Sequence, residues 1–238
     1  MKKKLALILA GTAMAAMVLA GCGEKNNASG EDVKTAESVE DKKTFTVGFD
    51  AEYPPYGYMD ENGEYTGFDL ELAEAVCKLE GWELVKKPLN WDSKDMELNS
   101  GSIDCIWNGF TMNGREDDYT FSTPYVDNSQ VIVVAEKSGI DTLEDLAGKT
   151  VGVQAASAAL DLLQSEEEGG QKKLADTFGA LNEFADYNTA FTELQAGALD
   201  ALAIDVGVAN YQIKSRGEGY KILDAVSYTH LRAHETRR

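Results

Sequence analysis

The chain has 238 residues, 43% hydrophobic and 26% charged, which is the balance of a folded globular protein and not of a disordered one. Its formal charge of −19 excludes nucleic-acid phosphates as a partner. Three cysteines at irregular positions make neither a disulfide framework nor a metal-ligand cluster, so no cofactor or metal is expected.

Lys2, Lys3 and Lys4 precede an apolar stretch from Leu5 to Leu19, and the segment closes Leu19-Ala20-Gly21-Cys22. The apolar stretch is too short for a comfortable bilayer span, and residues 1–22 are read as a signal peptide. The closing box resembles the bacterial lipoprotein signal, which implies that Cys22 carries the lipid, palmitate included, and becomes the first residue. Losing three lysines and no acid would take the mature chain to about −22. Residues 23–43 hold only Val33 and Val39 as larger apolar side chains and read as a flexible tether. A tether of that length spans roughly 25 Å root-mean-square. Of the remaining cysteines, Cys77 and Cys105 read first as two buried thiols, with a disulfide between them left open.

From Phe45 short apolar strands alternate with amphipathic helices. Strands are expected at Phe45 to Phe49, Glu83 to Lys86, Ile103 to Trp107 and Val131 to Ala135. A helix is expected from Phe68 to Glu80, with Leu72, Ala73, Val76 and Leu79 on one face and Gly81 as its stop, and a short one from Asp92 to Asn99. A second series then starts: a short helix at Thr142 to Ala147, a strand at Thr150 to Gln154, and a helix at Ser157 to Glu166 capped by Ser157. Glu183 to Asp186, the helix Thr189 to Ala196, the strand Ala201 to Ile204 and the helix Val206 to Lys214 complete it. Such alternation predicts α/β architecture with open sheets. The break at Glu136 to Ile140 divides a first lobe, residues 44–136, from a second, 137–226. The tail 227–238 holds both histidines and three of the five arginines, and is read as foreign to the fold.

Open α/β sheets bind ligands beyond the carboxyl ends of their strands. After the first strand come Asp50, Tyr53 and Tyr56, in a loop that two prolines stiffen; the rings serve either a ligand or the core edge. After Trp107 come Asn108, Gly109, Thr111 and Arg115, the first arginine of the chain. Gly109 permits close backbone approach and Thr111 brings a hydroxyl. The planar fork of Arg115 suits a carboxylate, although a surface pair with Glu116 or Asp117 is the plainer alternative. After Gln154 come Ala155, Ala156, Ser157 and Ala158 at a helix start, where amides favour an anion. Asp205 ends an apolar run, as a helix cap or as the holder of an ammonium group. Together these residues describe a site for a zwitterionic amino acid, with both charges paired on burial.

The stretches VGFDAEYPPYGYMDENGEYTGFDLELAEAV, GSIDCIWNGFTMNGRE with FSTPY, LEDLAGKTVGVQ and LQAGALDALAID resemble the extracellular solute-binding proteins of polar amino-acid ABC transporters, family 3, over residues 45 to about 224. The resemblance implies a type II periplasmic-binding fold, two α/β lobes around a ligand cleft. It implies capture of a polar or sulfur-containing amino acid outside the cytoplasmic membrane and delivery to an ABC transporter permease. The protein would act as a membrane-anchored monomer, on a Gram-positive surface or in a periplasm. Tyr53 and Trp91 would stack on the ligand, with Tyr56 in the same loop, and Asp50 would meet a polar side chain. Gly109, Thr111 and Arg115 would face the α-groups from lobe one, and Ser157, Ala158 and Asp205 from lobe two.

Three departures stand out. The step from Thr111 to Arg115 is one residue short, and Ala156 replaces a usual glycine. The strand and closing helices that return the chain to lobe one are also missing, so the fold is expected to be incomplete at its C-terminus, the gene product truncated and its binding weakened. Two other classes are weaker readings. A dehydratase acting on cyclic prephenate-like acids needs a general acid, for which Glu52 or Asp50 would have to serve. A sensor or adhesin would bring fused domains or repeats, and neither is in the sequence.

Overall fold

The computed structural model describes residues 43–217, 219–223, 227–232 and 234–235, the last two stretches by their backbone alone. The signal peptide, Cys22 and all but the last residue of the tether lie outside the described residues. The first half gives β1 (Thr44–Phe49), β2 (Glu52–Tyr53), β3 (Gly57–Met59), β4 (Tyr65–Thr66), α1 (Phe68–Glu80), β5 (Glu83–Pro88), α2 (Lys94–Asn99), β6 (Cys105–Ile106), β7 (Phe110–Thr111) and β8 (Thr120–Phe121). The second gives β9 (Val126–Ala135), β10 (Thr150–Gln154), α3 (Ala158–Gln164), α4 (Lys172–Ala175), β11 (Ala180–Phe184), α5 (Tyr187–Ala196), β12 (Ala201–Asp205), α6 (Val206–Arg216), β13 (Tyr220–Ile222), β14 (Ser227–Arg232) and β15 (His234–Glu235).

β1 is the middle of a three-stranded parallel sheet, flanked by β5 and β6. Helix α1 has its expected bounds and ends at Gly81 in the left-handed conformation, φ 70°. Its buried stripe is Leu70, Ala73 and Cys77, of which Leu70 and Ala73 pack with Val47, Phe49 and Cys105. The expected face is rotated: Leu79 is 85% exposed, because the spacing of three and four from Leu70 carries the stripe through Cys77 instead. Cys77 and Cys105 are buried thiols and form no disulfide. The Pro-rich aromatic loop is not irregular: β2, β3 and β4 form a small antiparallel meander.

In the second sheet β10 runs parallel to β11 and β12, while β9 is antiparallel to β12, Gln130 opposite Asp205. The strand Val131 to Ala135 therefore belongs to the second sheet. The lobe boundary read at residues 136 and 137 falls too late, since the chain has already crossed before β9. An all-apolar strand carries no mark of which sheet it will join, and pairing with β12 decides it. Val131 and Val133 pack with Phe191 and Leu202 on one face; Ile132 and Val134 pack with Val151 and Leu163 on the other.

The backbone of residues 227–232 forms β14, which pairs antiparallel with β9 and also with β7, and β15 pairs with β8. The amino-terminal half of β9 would otherwise present unpaired N–H and C=O groups, and such an edge accepts an extended segment through the backbone, whatever its sequence.

Asp69 sits in the first turn of α1 and is completely buried. Its Oδ1 accepts the Tyr125 hydroxyl at 2.9 Å, the Gly109 amide also donates to the carboxylate, and Oδ2 has no partner. Burial is the main cause that pushes this carboxyl up to about 7, against the pull of those two donors. The folded chain thus holds a proton that the unfolded chain releases at lower pH. The stability this group contributes is complete below the ordinary aspartate range and is lost as pH rises towards 7. Asp69→Asn should therefore gain on the parent chain by on the order of 2–4 kcal/mol between about pH 4.5 and 7.5, read from denaturant unfolding at each pH. A gap that stays constant with pH would refute this.

Candidate functional site

Tyr53, Trp91, Asn108, Gly109, Phe110, Thr111, Arg115, Gln154, Ser157, Ala158 and Asp205 line one cavity. All end or follow the parallel strands β1, β5, β6, β10 and β12 at their carboxyl ends, where open sheets leave room for ligands. Nine residues singled out in the sequence thus converge: Tyr53, Trp91, Asn108, Gly109, Thr111, Arg115, Ser157, Ala158 and Asp205. Asp50 lies alongside, its Oδ2 accepting Gln154 Nε2 at 2.6 Å. Tyr56 is not brought in. It stacks behind Tyr53 at 5.5 Å, and its hydroxyl abuts Gly207 at the start of α6.

Several of these groups are already engaged. Asn108 Oδ1 accepts the Asp50 amide at 2.8 Å and so ties together the loops that follow β1 and β6. The Gly109 amide bonds to the Asp69 carboxylate. Ser157 Oγ accepts the Leu160 amide at 3.2 Å as the cap of α3, as its place in the sequence predicted.

Arg115 bonds to an acid, as its plainer reading held, but the acid is neither Glu116 nor Asp117. Its Nη2 meets Asp161 Oδ2 at 2.5 Å, across from the second half of the chain. Nη1 reaches the Thr111 carbonyl at 3.3 Å, and the guanidinium lies over the Phe110 ring at 4.8 Å. The Ala156 carbonyl collects three donors from the first half: Trp91 Nε1 at 3.2 Å, Arg115 Nη2 at 3.4 Å and Lys94 Nζ at 3.5 Å. Ala156 has φ 53°, the left-handed region that glycine occupies without strain. These bonds draw the halves together, and the space left in the cavity is about 20 Å³, enough for about one water.

Asp205 ends β12 and is 3% exposed. Burial holds its carboxyl above the ordinary range, while donors from Gln130, Tyr53 and Asn128 pull the other way. Gln130 Nε2 donates at 2.7 Å to the same oxygen that takes Asn128 Nδ2. The side-chain oxygens of Asn128 and Gln130 stay buried without partners. The hydroxyl of Tyr187 is fully buried beside Ser157, within electrostatic reach of Asp205, Asp50 and Arg115. Asn128, Gln130, Gln154 and Tyr187 were missed in the sequence. Gln130 closes the polar run Asp127 to Gln130 at the start of β9, and Tyr187 opens an ordinary helix, so neither has a local signature.

Chemically, the arrangement sets a guanidinium at one end of a small cavity and a buried carboxylate with neutral donors at the other, between aromatic rings. Asp50 marks its side wall. Burial is the largest cause raising its carboxyl to about 6, with Asp186 and Glu52 adding to the rise and bonds from Glu52 N and Gln154 opposing it.

The sequence profile of the bacterial extracellular solute-binding proteins, family 3, matches residues 45–205. The L-cystine-binding protein TcyJ of Escherichia coli (strain K12) is 32% identical over 195 residues, 81% of this chain and 69% of that protein. The arginine-binding extracellular protein ArtP of Bacillus subtilis (strain 168) is 34% identical over 229 residues, 94% of this chain and 82% of that one. The crystal structure of an ABC uptake transporter substrate-binding protein from Streptococcus pneumoniae with bound histidine matches with TM-score 0.76 and 32% identity, over 82% of this chain and 80% of that chain. The chain belongs to the bacterial extracellular solute-binding proteins, family 3, with the type II periplasmic-binding fold. Its relatives are named as solute-binding proteins, and it is a binding protein and not an enzyme.

The contact of Tyr56 with Gly207 joins the two halves outside the cavity. A Cβ at Gly207 would fall 2.3 Å from the Tyr56 hydroxyl oxygen. Gly207→Ala should cost about 1–3 kcal/mol by overpacking, despite a helix-propensity gain of about 1 kcal/mol. Adding Tyr56→Phe should return most of that loss in urea unfolding. A stabilising Gly207→Ala in the parent chain would show the contact to be absent.

Proposed function

We propose that this protein captures a free amino acid at the outer side of the cytoplasmic membrane and delivers it to an ABC transporter permease. The observation that carries this reading is the convergence of Arg115 and Asp205, opposite charges from the two halves, on one cavity with Tyr53 and Trp91. In the liganded state the α-carboxylate takes the place of Asp161 on Arg115, and the α-ammonium meets Asp205 and the partnerless oxygens of Asn128 and Gln130. A zwitterion so held has each charge hydrogen-bonded, the condition for burying it. The halves must part to admit it, and closing on it is favoured only as far as both contact it. Relatives named for cystine, arginine and histidine support an amino acid as the ligand. The signal and tether fit a lipoprotein held through Cys22, acting as a monomer.

Arg115→Ala and Asp205→Ala should each weaken amino-acid binding about 100-fold or more, as expected when one partner of a buried charge pair is removed. Calorimetry giving parental affinity in both variants would end the proposal. In cells grown with labelled palmitate, Cys22→Ser should lose the label and leave the membrane fraction; retention of both would remove the anchor.

A further inference from the structure

The carboxylate that Arg115 holds belongs to the chain itself. Asp161 lies in the first turn of α3, in the second half, and its Oδ2 meets Arg115 Nη2 at 2.5 Å. The two partners differ in freedom. The Arg115 side chain is 12% exposed and is fixed by the Thr111 carbonyl and the Phe110 ring, whereas that of Asp161 is 57% exposed. Asp161 can therefore turn out to water at little cost, and Arg115 cannot.

A second observation is Lys94, which opens α2 and is buried. An ammonium has three protons to place. Lys94 Nζ reaches the Ala156 carbonyl at 3.5 Å, an acceptor that Trp91 and Arg115 already share, and otherwise lies over the Trp91 ring at 5.2 Å. Arg115 stands within electrostatic reach as a like charge, and Asp161 as an opposite one. Asp92 and Asp95 are also within reach, but they belong to the same half as Lys94 and do not pull across the interface. Among the described residues, Asp161 is the one carboxylate bonded to either cation. Without its charge, two cations from the first half would crowd one carbonyl of the second, with no anion to hold them there.

We propose, resting on the amino-acid reading above, that Asp161 is a built-in stand-in for the ligand's α-carboxylate, a latch that draws the halves together by itself and that an arriving amino acid must displace. The amino acid brings the same charged group to the same guanidinium, so latch and ligand compete for Arg115. Asp161 thereby sets the affinity without touching the bound ligand, as a positioning residue that acts through Arg115. The latch favours closure in the absence of an amino acid, and the free energy it contributes there is lost from binding.

The test is calorimetry with L-arginine, L-histidine and L-cystine, together with small-angle scattering, on the full chain. Asp161→Asn keeps the size of the side chain and removes its charge. It should tighten binding of whichever amino acid the parent takes by about 3–10-fold, the worth of a half-exposed charged hydrogen bond. With no amino acid added, the variant should scatter as a larger particle than the parent and contract when the amino acid is supplied. Asp161→Glu restores the charge and should fall back towards the parent in both measurements. A residue that served only to support α3 would weaken binding on substitution and produce no such contraction. Affinity at or below the parent's, or a variant no larger than the parent, overturns the latch and leaves the amino-acid reading intact. No heat with any amino acid, in parent and variant alike, overturns both.

Discussion

Asp205 is the group on which the site depends. A carboxylate removed from water must find compensation, and here it receives only neutral donors, from Gln130, Asn128 and Tyr53. Those donors keep it in place and fix its direction without cancelling its charge. To hold them, β9 must lie beside β12, so the antiparallel pairing that sets Gln130 opposite Asp205 is part of the site as well as of the sheet. Asp205 also starts α6, whose first turn meets Tyr56 from the other half. One residue thereby joins the floor of the cavity to the contact between the halves.

The opposite charge is managed differently. Arg115 is satisfied within the chain, by Asp161, the Ala156 carbonyl and the Thr111 carbonyl. The first two come from the second half, so the residue that would grip a ligand also draws the halves together without one. Lys94, buried to 4% exposure, and the Trp91 indole converge on the same carbonyl. Under the proposed reading a ligand carboxylate would compete with this internal one, and affinity would reflect the difference between the two partners of Arg115.

Much of this was legible from residue order because parallel α/β sheets present their ligand residues at predictable places, just beyond strand ends. Tyr53, Asn108, Thr111, Arg115, Ser157 and Asp205 all sit at such points and all line the cavity. What escaped is informative for the same reason. Gln130 lies within a strand, Gln154 ends one, and Tyr187 begins an unremarkable helix; their place at the site comes from how the sheets are apposed. The face of α1 was misjudged because Leu70, Ala73 and Cys77 compete with Leu72, Val76 and Leu79 for the core, and only packing chooses between two apolar stripes.

The sequence by itself determined the α/β alternation, the bounds of α1 with its stop at Gly81, the cap at Ser157, and the residue types that give the site its chemistry. These are local properties, set by periodicity, backbone freedom and side-chain donors. The tertiary structure alone decided that β9 joins the second sheet, that the backbone of residues 227–232 completes its edge, and that Arg115 reaches Asp161. Each is a pairing between groups far apart in the chain, and such pairings follow from which surfaces and charges remain uncompensated after the local elements have formed.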